Sequence, residues 1–142
     1  MAREMSTAEW REFVSTGTRT GELAVVRKNG TPHVVPVWFV LDGNDFVLTT
    51  SRETVKGKAI RRDARVAICV DDDRPPFAFV TIRGRAEIVD DPGELLRFAI
   101  AIGGRYMGSS RATEFGRRNA VPEELLVRVH PTRVIAIAGM TD

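Results

Sequence analysis

Eight consecutive residues, Val34 to Leu41, carry no polar side chain, and turn-forming pairs flank them, Asn29-Gly30 on one side and Asp42-Gly43 on the other. The two-residue period of a strand sets Val34, Pro36, Trp38 and Val40 on one face and Val35, Val37, Phe39 and Leu41 on the other. A strand predicted over His33 to Leu41 is therefore apolar on both faces. The segments Val66 to Val70 and Phe77 to Ile82 repeat the feature. Doubly covered strands are the habit of parallel α/β sheets, yet tight turns make these strands antiparallel, and helices are too few to cover two faces. A small closed barrel, apolar inside, with part of its outside buried against a second copy of the chain, meets both constraints. The expectation is a mainly β homodimer with flanking helices.

Local signals supply the remaining elements. Ser6 with Glu9 three residues later has the form of a capping box, and apolar residues at 10, 13 and 14 predict a short helix over Ser6 to Val14. Glu22 to Lys28 is a strand that turns at Asn29-Gly30 into the second, which in turn pairs with a third over Phe46 to Thr50, three antiparallel strands in a row. Thr54 to Asp63 reads as a helix with Ser51 or Thr54 as its cap, and Arg65 to Asp71 as a strand. Phe77 to Asp90 is a long strand bent or bulged at Gly84. A helix follows from Glu94 to about Met107, its apolar face made by Leu95, Phe98, Ala99 and Ile102. Residues 109–120 are polar and fit no pattern, and Leu125 to His130 and Arg133 to Ala138 are two closing strands divided by Pro131.

At 142 residues and 43% hydrophobic composition, the chain suits one domain, spanning residues 1–142, with about 68–70% of its unfolded surface buried. A single cysteine, Cys69, excludes a disulfide framework and fits a reducing compartment. The eight-residue apolar run is far short of the roughly 20 residues a membrane helix needs. No apolar stretch follows Arg3 near the start, so a cytoplasmic protein without a membrane partner is expected. Net charge is only +2, too little to argue for nucleic acid, but it is unevenly spread. Arg52, Lys56, Lys58, Arg61 and Arg62 crowd one short segment that holds a single acid, Glu53.

That segment is the first candidate for chemistry. A strand end bearing Thr49, Thr50 and Ser51, followed by a helix start with Lys56 and Lys58, suits a phosphate, since hydroxyls and amides donate while the cations supply charge. Lys56 and Lys58 lie roughly 200° apart on an ideal helix, so they share one anion only if Lys56 sits in an irregular first turn; a solvated basic face is the competing description. Pro36 in mid-strand removes a ladder donor, which describes either a plain bulge or a place where a flat heterocycle lies against Pro36, Val37 and Trp38. His33 and His130 lack neighbours at ligand spacing, so no metal site is expected. Ser109-Ser110 lacks a nucleophile-elbow frame, and Cys69 reads as a small buried apolar residue. An anion cradle without a catalytic side-chain set suggests that a bound cofactor carries the reactivity.

Leu23 to Trp38, Leu48-Thr49-Thr50-Ser51, Lys56-Gly57-Lys58, Arg61 to Ala67 and Val80 to Ile88, taken in order, resemble the pyridoxamine 5'-phosphate oxidase-like split β-barrel superfamily (FMN-binding split barrel). The resemblance is greatest to its small oxidoreductases that use the deazaflavin coenzyme F420. It implies a homodimeric antiparallel split barrel in which Pro36, Val37 and Trp38 line the ring system. Thr49, Thr50 and Ser51 would contact ring or ribityl edges, Lys56 and Lys58 the phosphate, and Phe77 and Phe79 would approach from the partner subunit. Ala59 replaces an asparagine common among relatives, and the extra arginines and C-terminal substrate motif of the FMN oxidases proper are absent.

Arg52, Arg61 and Arg62, with Arg105 and Tyr106, offer a surplus of positive charge for the anionic oligoglutamate tail of F420. The function so implied is hydride transfer from reduced F420 to an unsaturated small organic molecule. The alternatives are an FMN-dependent oxidoreductase of the same fold, or a non-catalytic protein that binds flavin, deazaflavin or haem. No catalytic residue is identified by the resemblance.

Overall fold

A computed structural model describes residues 1–142. In chain order the elements are β1 (Arg3–Glu4), α1 (Thr7–Ser15), β2 (Gly21–Val26), β3 (Pro32–Val37), β4 (Val40–Asp42), β5 (Asp45–Ser51), α2 (Val55–Arg62), β6 (Arg65–Asp72), β7 (Ala78–Val89), α3 (Pro92–Met107), α4 (Ala112–Asn119) and β8 (Glu124–Ala138). The eight strands form one antiparallel sheet in the order β3-β2-β6-β7-β8-β5-β4, with β1 added to β8. The two ends of that order, β3 and β4, are consecutive in the chain and separated only by Trp38 and Phe39. This short link carries the sheet round on itself, so an antiparallel barrel with flanking helices results.

Alternation along each strand fills the interior. Leu23, Ile68, Val70, Val80, Ile82, Leu48, Val127 and Val129 point inward and are fully buried, joined by Phe39 and Phe46, whose ring centroids lie 5.0 Å apart. Trp10 stacks over Phe46 from α1, and Ala59 and Ile60 of α2 enter the same core. Each such side chain contributes about 1.5–3 kcal/mol by leaving water. Outside the barrel, Phe98 of α3 packs with Val47 and Leu126 in a smaller cluster that fixes α3 along the β5–β8 side. No helix is long and apolar enough to cross a membrane.

Several local expectations hold. Ser6 accepts from the Glu9 amide while the Glu9 carboxylate accepts from the Ser6 amide, the capping box that starts α1. α2 and α3 occupy their expected places, and β7 bulges between Arg83 and Gly84. Gly84 is required there, because a Cβ would press on the His130 carbonyl oxygen at 2.7 Å.

Three expectations need correction. The doubly apolar strand is not one strand: it breaks at Trp38–Phe39, β3 pairs with β2 alone, and β4 hairpins to β5 at the far end of the sheet. The three-in-a-row meander is accordingly absent. The two closing strands are one, β8, which passes Pro131 because the register slips there: Arg83 faces Arg133, Gly84 faces Pro131, and Thr132 is the extra residue. Residues 109–119, polar and without a sequence pattern, form a 3-10 turn and α4.

Candidate functional site

The break between β3 and β4 opens a seam in the barrel. Carrying the β4–β5 register backward would set Trp38 against Thr49 and Pro36 against Ser51, but β3 swings away to pair Pro36 with Glu22 of β2. The edge of β5 from Thr49 to Ser51 therefore has β8 on one side and no strand on the other. Pro36, which has no amide hydrogen, suits a strand that faces such a seam.

The C-terminal turn of α3 closes one end of the seam. Phe39 donates its amide to the Tyr106 hydroxyl at 3.2 Å and accepts from Arg105 Nη1 at 2.7 Å. Arg105 also donates to the carbonyls of Gly17, Val14 and Arg19, and the Tyr106 hydroxyl donates to Arg19 at 2.8 Å. Burial pushes the Arg105 guanidinium below its ordinary value and the Tyr106 phenol above its own. The Tyr106 ring stacks on Trp38 with centroids 4.8 Å apart and planes within 5°.

Below the seam, β5 runs into the first turn of α2. The Thr54 hydroxyl donates to the Ser51 carbonyl at 2.8 Å and accepts from the Gly57 amide at 3.1 Å, so it caps the helix and tethers it to the strand end. Gly57 permits that approach, since a Cβ built there would overlap the Ser51 carbonyl oxygen. With Gly57 capped, helix geometry leaves the Val55 and Lys56 amides as free donors at the positive end of the helix. Lys56 is half-buried, whereas Lys58, roughly 200° further round, is exposed.

Glu124 enters this neighbourhood from β8, opposite Ser51. Burial raises its carboxyl above the ordinary 4.5, and the Thr49 hydroxyl and the Lys56 charge only partly oppose that. No local pattern points to Glu124, because it lies 73 positions from Ser51 and only the register of β5 on β8 brings them together.

The structure thus brings Thr49 and Lys56 to Glu124, sets Ser51 opposite that residue with its hydroxyl accepting from the Glu53 amide at 3.2 Å, and treats the other expected residues differently. Thr50 is 3% exposed, its hydroxyl 3.0 Å from that of Thr54. Val37 is buried in the core, while Pro36 and Trp38 face outward. Arg52 lines a neighbouring cleft with Arg61, and Arg62 reaches the Val26 carbonyl at 3.3 Å. Arg105, counted above among spare cations, is spent on backbone carbonyls. Phe79 pairs across β8 with Ile137 and Thr49 with Leu126, eleven residues or roughly 35 Å of extended strand apart. Phe77, in the left-handed region at φ 58°, lines a shallow hollow beside Phe79 and Cys69.

Against known proteins, the family model described as pyridoxamine 5'-phosphate oxidase matches residues 6–138. None of the curated proteins compared with the chain matches it. Among solved structures, a conserved hypothetical protein from Mycobacterium tuberculosis is 29% identical, with a TM-score of 0.81 over 93% of this chain and 84% of that one. An F420 reductase is 28% identical, with a TM-score of 0.68 over 87% of this chain and 94% of its own. A heme binding protein from Mycobacterium smegmatis, 22% identical with a TM-score of 0.74 over 99% of this chain and 57% of that one, shares the fold. With a family model covering nearly all of its length and the seam in its barrel where β3 and β4 part, the chain belongs to the pyridoxamine 5'-phosphate oxidase family.

Proposed function

We propose that the chain is an oxidoreductase that holds reduced coenzyme F420 and passes a hydride to an unsaturated small organic molecule. The observation that carries this reading is the cradle at the strand–helix junction, with Thr49, Ser51 and Lys56 beside the free amides of Val55 and Lys56, in a chain 28% identical to an F420 reductase. Its donors suit a phosphate: two hydroxyls at the strand end, two amides at a helix start and one half-buried ammonium follow one another along the junction, and the carboxyl paired opposite them, Glu124, is held toward its neutral form. When bound, the deazaflavin supplies the hydride, and the protein's part is to orient the reactants and exclude water. Pro36 and Trp38 give the ring a flat apolar wall, and the unpaired edge of Thr49 to Ser51 offers backbone donors and acceptors.

A second copy of the chain would complete the site. Val34 is 63%, Trp38 40%, Ile135 39% and Met140 46% exposed, large apolar side chains on the outside of the barrel that one chain leaves partly uncovered. Phe77 and Phe79 share a hollow with Met140, at the end of β7 whose β8 partner, Ile137, is eleven residues from that of Thr49, so in this reading they serve the partner's cradle.

The test is a fluorescence titration with F420 and with FMN, on wild type and on a Lys56→Ala/Lys58→Ala variant. Tighter binding of F420 than of FMN, weakened at least tenfold in the variant, about 1.4 kcal/mol, is the expected result. Tighter binding of FMN would make the chain a flavoprotein of the same fold. Unchanged affinity in the variant would remove these lysines from the site.

A further inference from the structure

Beside the cradle, on the far side of Glu124, lies a cleft of about 560 Å³ between the start of α3, the end of β7 and the loop at residues 120–124. That volume is in the range of pockets for small organic ligands. Its walls are half apolar, with Ile88, Leu95, Val121 and Leu125 among them. Arg52 and Arg61 supply the cationic side.

Arg52 is the unusual member. Its amide donates to the Glu123 carbonyl at 2.9 Å, so its backbone is fixed to the loop that forms one wall. Its side-chain Nε, by contrast, is buried without any hydrogen-bond partner, the only side-chain nitrogen or oxygen in the chain left so. The other half-buried arginines of this chain are engaged, Arg19 with Asp72, Arg128 with Asp42 and Asp45, Arg105 with four carbonyls. A half-buried guanidinium in the wall of a cleft, with no acceptor from the chain on any of its nitrogens, leaves its charge to be met by whatever enters the cleft.

Three acids bound what that acceptor can be. Asp90 and Asp91 stand exposed at the rim, Asp91 capping α3 through the Gly93 and Glu94 amides, and Glu124 lies within, its carboxyl raised by burial. A polyanion would meet repulsion at the rim and apolar walls inside. One negative group on a greasy body meets neither obstacle.

We propose that this cleft is a binding site for a small organic monocarboxylate with an apolar body, its carboxylate received by Arg52 with Arg61 beside it. The site uses Arg52 and Arg61, which the resemblance offered to the F420 tail, and shares only the wall at Glu124 with the cradle, so the experiment separates the two readings through Lys56.

The experiment is calorimetric titration of the full-length protein with octanoate and with octanol, on wild type, Arg52→Gln, Val121→Asp and Lys56→Ala. Octanoate should bind at least tenfold more tightly than octanol. Arg52→Gln should erase that difference while leaving octanol binding and the thermal unfolding midpoint in place, and Val121→Asp should weaken both ligands. Lys56→Ala should leave octanoate binding unchanged even where it abolishes F420 binding, so the two sites fail separately. Equal affinities for the acid and the alcohol, or an Arg52→Gln protein that binds octanoate as wild type does, would overturn the assignment, as would the absence of octanoate binding at millimolar concentration.

Discussion

Arg105 Nη1 donates a 2.7 Å hydrogen bond to the Phe39 carbonyl, tying the last turn of α3 to the two-residue link at which the barrel wall parts. The same guanidinium serves Gly17, Val14 and Arg19, so one cation ties the stretch from Val14 to Arg19 to the link at Phe39. Arg105→Gln should lower stability to urea by about 2–3 kcal/mol, in the range for hydrogen bonds to a charged group. Arg105→Lys should recover less than half, because an ammonium cannot reach carbonyls on so many sides.

Tyr106 divides its work between hydroxyl and ring, and two substitutions separate them. Tyr106→Phe removes the bonds to the Arg19 carbonyl and the Phe39 amide but keeps the stack on Trp38, and should cost about 1 kcal/mol with little change in tryptophan emission. Tyr106→Ala also strips the ring from Trp38 and should shift that emission to longer wavelength. Equal spectra for the two variants would show that the stack does not hold Trp38.

What could be read from the sequence was what its neighbours in sequence decide. Ser6 with Glu9, Thr54 before α2 and Gly84 within β7 act across a few residues, and each was legible. The break at Trp38–Phe39 was not, because an uninterrupted apolar run looks the same whether or not Arg105 and Tyr106, 66 and 67 positions away, hold its middle open. Pro131 misled for a similar reason: it ends a strand unless its partner strand supplies a bulge, and only the pairing with Gly84 reveals one. In the cradle, Thr49, Ser51 and Lys56 were legible as adjacent polar residues at a strand–helix junction. Glu124 required the register of β5 on β8, which no local pattern encodes.

Gly57 tests how closely α2 must approach β5. Gly57→Ala places a methyl group on the Ser51 carbonyl, so the helix must back away and loosen the Thr54 cap. Overpacking of this kind should cost about 1–3 kcal/mol in urea unfolding and should weaken phosphate-bearing ligands by more than tenfold. Loss of stability with unaltered ligand affinity would show that the first turn of α2 is not the anion site.

His130 joins Glu87 at 2.8 Å and Asp45 at 3.1 Å, bridging β7, β8 and β5 at the surface. The Glu87 hydrogen bond, with help from Asp45, raises the imidazole above its ordinary 6.5. A folded-state value above the unfolded one gives stability that is complete below 6.5 and is lost as pH rises through the raised value. The urea midpoint should therefore fall between about pH 6 and pH 8, and His130→Gln should flatten that slope. The pair is exposed, so the effect is small and shrinks with added salt.

Glu124 gives the anion cradle a pH dependence of its own. Its carboxyl is raised by burial, so on the acidic side of the raised value it is neutral and Lys56 is free to meet a phosphate. As pH climbs through the raised value the carboxylate forms beside Lys56, attracts the ammonium to itself and repels an incoming anion. F420 affinity should therefore decline from about pH 5 to about pH 7, and Glu124→Gln should bind more tightly than wild type at the upper end and hold its affinity across the range. The same substitution should raise stability on the alkaline side of that transition, because it spares the fold a half-buried charge that forms there. A fluorescence titration of both proteins at the two pH values decides it: parallel curves would mean that Glu124 does not face the site of the anion.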